Sequence, residues 1–384
     1  MRTKGLVGLV SYNVHSNHMN YGAALHSWAF QQALKRYGQE SVIIDYFPHI
    51  MEGYSIKWPI LNNLRFWHPR TFLLNLIRWG LGTIPNLRKY KKFERFFCTN
   101  LTKTKACYSY SQLLRLSDIE SLDISTFVCE SDVIWKLYAE GGFDEVFFLD
   151  FPAARGKNKI AYSPSLGSRP FTKDEERRFI ELTEDFKAIS TREEQGGRYL
   201  SALLYKDIPW VLDPTLLLNH ADYQRITVKP KESGYILLYN CMVNDLEMVR
   251  EAERFAKEHH KTLIEISNWY DNKLRFSHSV KTDVGIEEFL GYMENADFVI
   301  CNAFHGFCFS VVFRKQMFLF QRDESDFRMK NITDALGLSA RLIPWNLKKL
   351  PTEFDVIDFV DVYSKLETHR KRSFEFIKDN ILIW

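Results

Sequence analysis

The feature that most constrains this chain is an alternation of short apolar runs with stretches of helical spacing. Residues 6–10 form an apolar run that breaks into the polar loop His15-Ser-Asn-His-Met-Asn20. Leu25, Trp28, Ala29, Ala33, Leu34 and Tyr37 then recur at helical spacing, and Gly38 stands where a glycine closes a helix. A second run at 41–45 completes a β-α-β unit, the signature of a parallel sheet. Runs at 124–129, 159–162, 187–190 and 210–212 continue the pattern. Thr172 with Glu175 three residues on predicts a capped helix start between two of them. A second series begins near Gly234, with runs at 235–239, 262–266, Phe298–Cys301 and 317–320. The expectation is an α/β chain of two doubly wound domains facing across a cleft. The first spans 1–215 with a helical insertion at about 51–123, and the second spans 216–354. The hinge is expected at 214–230, and a C-terminal helix within 355–384 is expected to cross back onto the first domain.

Composition agrees with this picture. At 384 residues the chain is long for one core, and a hydrophobic share of 46% is enough to bury two. Lys and Arg number 51 against 48 Asp and Glu, a balance that does not point to nucleic acid. The six cysteines, at 98, 107, 129, 241, 301 and 308, form no C-x-x-C pair, so neither a zinc finger nor a disulfide framework is expected. That usage, a start unlike a secretory leader and the lack of a long apolar run predict a cytoplasmic protein.

Residues 51–123 depart from the alternation. Between Lys57 and Phe97, Lys57, Arg65, Arg70, Arg78, Arg88, Lys89, Lys91, Lys92 and Arg95 face a lone acid, Glu94. Trp58, Phe66, Trp67, Phe72 and Trp79 are interleaved with them. Bases with interfacial aromatics suit the inner face of an anionic membrane, and peripheral contact through 57–97 is one expectation. The other is a helical insertion whose rings pack on the core.

Open α/β sheets bind ligands at the carboxyl ends of their strands, so polar residues just past the runs are the site candidates. These are Asp132, the Ser163-Pro-Ser-Leu-Gly167 turn with Ser165, Arg192, and Asn302 through Gly306. Gly306 lets backbone approach a ligand, the N–H groups of the helix start suit a phosphate or carboxylate, and His305 beside them can carry a proton near neutral pH. A histidine that only bonds a neighbouring loop is the alternative. Arg192 can grip an oxyanion bidentately or can pair at the surface with Glu193 or Glu194. Asp132 reads as a base or hydroxyl orienter, or as a helix cap. Asn20, Tyr21 and Gly22 open the first helix and either cradle an acceptor or cap the helix. Neither G-x-G-x-x-G after the first strand nor a P-loop, H-E-x-x-H or G-x-S-x-G is present. Without the glycine fingerprint, Asp45 is a weak ribose-binding signal. The lack of Asp-x-Asp argues against a transferase that grips a sugar nucleotide through a metal, and no metal site is predicted.

Taken in order, several stretches resemble the polysaccharide pyruvyl transferase family. They are Asn20-Tyr-Gly-Ala-Ala24, Val42-Ile-Ile-Asp-Tyr46, Glu130-Ser-Asp-Val-Ile-Trp135, Lys159 through Gly167 and Ser190-Thr-Arg-Glu193. Val211-Leu-Asp-Pro-Thr215, Phe298 through Gly306 and Arg328 through Gly337 to Arg341 complete the set. The resemblance implies two facing Rossmann-like domains, as in B-type glycosyltransferases. It also implies transfer of pyruvate from phosphoenolpyruvate, a co-substrate rather than a bound cofactor, onto a sugar as a ketal. Products of that kind decorate capsules, exopolysaccharides and cell-wall glycans, and the acceptor can be lipid-linked. The family's functional aspartate, arginine and histidine map onto Asp132, Arg192 and His305. Members often carry a further arginine where this chain has Ala303, and Arg328, Arg314 or Lys315 are the candidates to replace its charge.

The resulting expectation is that His305 acts as the acid and Asp132 deprotonates or aligns the attacking hydroxyl. Arg192, Asn302, Gly306, Ser165 and Arg328 hold the donor, while Asn20, Tyr21 and Gly22 meet the acceptor. Two rivals are a nucleotide-sugar glycosyltransferase using the same cleft and a saccharide-binding module that has lost turnover.

Overall fold

The computed structural model describes residues 5–12, 19–48, 72–105, 107–115, 119–138, 142–167, 169–241, 243–324 and 327–382, with 72–79 and 81 described by backbone alone. Strand β1 (Leu6–Ser11), helix α1 (Tyr21–Lys35) and strand β2 (Ser41–Ile43) form the first β-α-β unit. Val7, Leu9 and Val10 are wholly buried because a parallel strand is covered on both faces. Helix α1 starts where the Asn20 side chain accepts from the N–H groups of Gly22 and Ala23. It closes before Gly38, whose φ of 69° suits a residue without a Cβ.

Helix α2 (Phe72–Asn100) fills much of the irregular region. Strands β3 (Ile124–Glu130) and β4 (Asn158–Tyr162), helix α3 (Lys173–Thr183), strand β5 (Phe186–Ile189) and helix α4 (Glu194–Leu204) then complete the first unit. The anticipated box at Thr172 and Glu175 caps α3. The sheet is parallel throughout in the order β2-β1-β3-β4-β5.

The second sheet is parallel too, ordered β11-β10-β9-β6-β7-β8. Its elements are β6 (Tyr235–Asn240), α5 (Leu246–Glu258), β7 (Thr262–Ser267), β8 (Ser279–Lys281), α6 (Ile286–Asn295) and β9 (Phe298–Cys301). They continue with α7 (Phe304–Val312), β10 (Gln316–Phe320), α8 (Phe327–Ala335) and β11 (Leu342–Ile343). Helix α9 (Phe359–Asn380) lies against the first domain, where Phe374 and Phe376 meet the rings of Tyr37 and Tyr162, and its Arg370 donates to the hinge carbonyls of Leu216 and Leu218.

Two details depart from the sequence reading. Residues 210–212 are not a strand: Trp210 makes one bridge to Thr191, while the N–H of Leu212 donates to Ser373 Oγ on α9. The segment's hydrogen bonding is therefore shared with a helix instead of running along a ladder. The edge strands β8 and β11 are too short to carry a readable pattern.

A single hydrophobic cluster joins the halves. Tyr21 of α1 stacks on Phe289 of α6 with centroids 4.6 Å apart, and its hydroxyl donates to the Val284 carbonyl at 2.9 Å. Helix α2 adds a polar clasp to this apolar joint. Lys89 Nζ donates to Asn268 Oδ1 at 2.7 Å, Lys92 pairs with Glu288 at 2.7 Å, and Arg95 pairs with Glu287 at 3.2 Å. Bases expected on a membrane thus dock on the second domain, because acids of α6 lie opposite them. Lys57, Arg65, Arg70, Trp58, Phe66 and Trp67 lie outside the described residues. Among the described residues no helix is long and apolar enough to cross a membrane.

Lys89 is buried over the Tyr21 ring, 4.6 Å from its centroid. Burial, only partly offset by Cys241 and Asp283, holds its ammonium below the ordinary lysine range. The unfolded chain therefore binds this proton more tightly, and folding stability rises with pH toward the unfolded lysine value near ~10.4. Relative to a Lys89→Met variant, the parent's Tm should climb as the pH is raised toward about 10. A pH-independent Tm difference in thermal melts would reject this reading.

Candidate active site

In an open parallel sheet, a ligand crevice forms where connections leave neighbouring strands in opposite directions. That point lies between β1 and β3 in the first sheet and between β9 and β6 in the second. The two switch points face one pocket of about 200 Å³. Tyr12, Asp132, Lys136 and Arg192 line it from the first domain, and Tyr239, Phe304, His305, Arg322 and Arg328 from the second.

After β3 the chain turns through two residues in the left-handed region, Ser131 at φ 53° and Asp132 at φ 59°. Such geometry costs on the order of 1–3 kcal/mol for a residue with a Cβ. The Ser131 N–H donating to the Tyr162 carbonyl and the buried stack of Trp135 on Phe148 hold the turn in place. The result sets Asp132 Oδ1 3.6 Å from Arg192 Nη2. No helix follows, so Asp132 is not a cap. Burial alone would raise its carboxyl, but Arg192, His305, His26 and Arg328 outweigh that and bring it to about 2. An acid this strong is a poor general base, which leaves the orienting part of its expected role.

Arg192 is buried, not paired at the surface. Its Nη1 donates to Asp213 at 3.2 Å and its Nε to Glu193 at 3.3 Å, while Nη2 has no hydrogen-bond partner. The guanidinium lies over the Phe304 ring of the second domain, 4.6 Å from its centroid. Asp213 is the meeting point of the site. It accepts from Ser131 Oγ at 2.8 Å and Thr215 Oγ1 at 2.6 Å, and it faces His305 Nε2 at 3.6 Å. Burial by itself would raise Asp213, yet His305, Arg192 and His26 hold it well below the usual carboxylate range.

The structure brings His305, Asp132, Arg192, Arg328 and Asn20 to one gap and separates the other candidates from it. His305 sits inside the first turn of α7, which begins at Phe304. Gly306 does not face ligand: a Cβ there would lie 2.8 Å from Tyr239 and 2.9 Å from Cys301 Sγ, so the glycine serves helix–strand packing. Ser165 is buried and braces the Asp132 turn through its N–H to the Asp132 carbonyl at 2.8 Å. Asn302 is buried too, with Nδ2 donating to the Val243 carbonyl at 3.1 Å. Asn20 caps α1 and also touches the pocket, whereas Tyr21 is an interdomain peg. Gly22 has a different task from the one expected, since a Cβ there would fall 1.9 Å from His305 Nδ1. Asp45 is held by Lys103 at 2.5 Å, away from the gap. Arg314 covers the Tyr363 ring and Lys315 is half-buried near Glu294 and Asp297, so neither supplies charge to the pocket. Beside Ala303 that charge comes from Arg328, Arg322 and Lys136.

Sequence reasoning missed Asp213, Lys136, Arg322 and the pair His26–Glu130. Asp213 stood inside the recognised Val211-Leu-Asp-Pro-Thr215 stretch, and its place just past a presumed strand was the available signal. Lys136 and Arg322 lie in irregular segments, where spacing says nothing of direction.

The fold and the site define a two-domain Rossmann-like protein whose cleft gathers four cations and an imidazole. The chain belongs to the polysaccharide pyruvyl transferase family, whose model matches residues 20–324. Comparison with curated proteins gives no match. Among solved structures, the UDP-N-acetylglucosamine 2-epimerase of Rickettsia bellii is 10% identical, with 97% of this chain and 96% of that one covered at a TM-score of 0.47. S. aureus MnaA, solved with UDP, is 9% identical over 98% and 88% of the two chains at a TM-score of 0.49.

Gly22→Ala puts a methyl where the His305 ring lies. Despite the ~1 kcal/mol by which alanine favours a helix over glycine, the variant should lose Tm and anion-induced stabilisation together. Thermal melts with and without phosphoenolpyruvate check this; an unchanged ligand response would show that the ring is not confined there.

Proposed function

We propose that this chain moves a pyruvyl group from phosphoenolpyruvate to two hydroxyls of a sugar, forming a ketal and releasing phosphate. The observation that carries the reading is the pairing of Arg192 and His305 across the domain gap, both against Asp213. Phosphoenolpyruvate carries a carboxylate and a phosphate, and a site for it needs several cations on a small volume. Arg192, Lys136, Arg322 and Arg328 meet that need. A volume of about 200 Å³ falls below the ~300–1,000 Å³ typical of larger ligand sites, which favours a small phosphorylated acid over a nucleotide sugar.

The chemistry begins with a proton. His305 gives one to the methylene carbon, C3, and positive character develops at C2. A sugar hydroxyl aligned by Asp132 adds to C2 and returns its proton to His305. A second hydroxyl of the same sugar then closes the ring at C2 as the C2–O bond to phosphate breaks, and its proton leaves with phosphate. The cations stabilise the departing dianion.

Mass spectrometry of saccharides incubated with phosphoenolpyruvate tests the reaction: a gain of about 70 Da per sugar is the net mass of a pyruvyl ketal, the substrate less phosphoric acid. Stabilisation in thermal shift by UDP and not by phosphoenolpyruvate would instead favour a nucleotide-sugar glycosyltransferase. His305→Gln should lower kcat about 10²–10⁴-fold in a folded protein, and a fully active variant would remove His305 from the mechanism. Lys136→Met should chiefly raise KM for phosphoenolpyruvate, by about tenfold, through lost uniform binding. Steady-state phosphate release measures both constants, and an unaltered KM would take Lys136 out of the donor site.

A further inference from the structure

Behind His305, away from the pocket, lies a buried group that the proposed mechanism does not use. His26 is wholly enclosed on α1, four residues after Gly22 and therefore on the same helix face. Gly22 leaves room for the His305 ring, and the His26 ring stacks on it with centroids 6.2 Å apart and planes at 22°. His26 Nδ1 meets Glu130 Oε2 at 3.0 Å and approaches Ser27 Oγ at 3.5 Å. The other Glu130 oxygen accepts from Ser11 Oγ. Ser11 and Glu130 are register partners at the ends of β1 and β3, at the first sheet's switch point. His26 Nε2 is buried with no hydrogen-bond partner.

Stability alone does not explain this arrangement. A buried imidazole–carboxylate pair with an unpaired nitrogen is a poor stabilising device, and apolar residues of similar volume would pack there at least as well. Burial disfavours charge on His26, but Glu130 first, and Asp213 and Asp132 behind it, outweigh that and raise its pKa. The His26–Glu130 pair accordingly sits beside His305 and close to the two carboxylates of the pocket. Glu130 also leads directly into the strained Ser131-Asp132 turn, so the pair touches both halves of the chemistry.

We propose that His26, clamped by Glu130 and Ser11, is a positioning residue for His305, fixing the plane of its ring against α1. This inference rests on the reading of His305 as the acid and adds the part that holds it still. A small rotation of a proton donor acts on kcat more than on substrate affinity, because alignment matters most in the transition state.

The decisive variant is the double substitution His26→Phe with Glu130→Gln, which keeps a ring in the stack and removes both titratable members of the buried pair together. It should hold Tm within about 5 °C of the parent, as coupled removal of a buried pair is often neutral. Its kcat should fall about tenfold or more while KM for phosphoenolpyruvate stays within about threefold. The His305 imidazole Cε1–H resonance, followed by NMR in protein carrying ¹³C-labelled histidine, should shift. An unchanged resonance, or parent-like kcat in a folded double variant, overturns the proposal. Should the double variant not fold, Ser11→Ala removes one hydrogen bond to Glu130 and is read by the same resonance with the same two outcomes. A parent protein with no turnover of phosphoenolpyruvate would sink the reaction assigned above, while the resonance still decides the role of His26.

Discussion

The structure depends on one buried ionic knot. Arg192 is surrounded by Asp213, Glu193 and Asp132, and Asp213 also faces His305 from the other domain. Taking these charges out of water costs several kcal/mol per ion, so the knot is stable only while the partners stay together. Losing one partner leaves a buried charge without an answer. The site is consequently more than a set of groups on a finished scaffold: bringing its charges into register requires that the two domains close at one particular angle.

Two other contacts set that angle. Tyr21 plugs an apolar socket in the second domain, and α2 lays Lys89, Lys92 and Arg95 along polar groups of the same domain. The apolar contact supplies most of the adhesion, since exposed ion pairs are worth about 0–1 kcal/mol each. The polar clasp gives the joint direction. Glycine does the fine work: the absence of a side chain at Gly22 lets the His305 ring lie directly on α1, and at Gly306 it lets α7 close on β9.

The pocket's chemistry follows from this closure. Four cations around an aspartate held strongly acidic give the pocket a net positive field with one hydrogen-bond acceptor inside it. Gly306 packs against Tyr239 and Cys301, while Ala303, Phe304 and His305 at the start of α7 line the pocket beside the side-chain cations.

Much of the fold was legible in the chain itself. Parallel strands are buried on both faces and read as apolar runs, and helices between them read at 3.6-residue spacing, so most strands of both sheets, the edges of α1 and the start of α3 followed from pattern alone. His305, Arg192 and Asp132 were visible for the same reason, because strand ends are easy to find. What pattern does not carry is direction across a gap. Only packing showed that Asp213 ties the three together, that Tyr21 and Gly22 serve the domain joint and the imidazole, and that bases of α2 face protein. Those outcomes depend on contacts between residues far apart in the chain, and such contacts leave no periodicity along it.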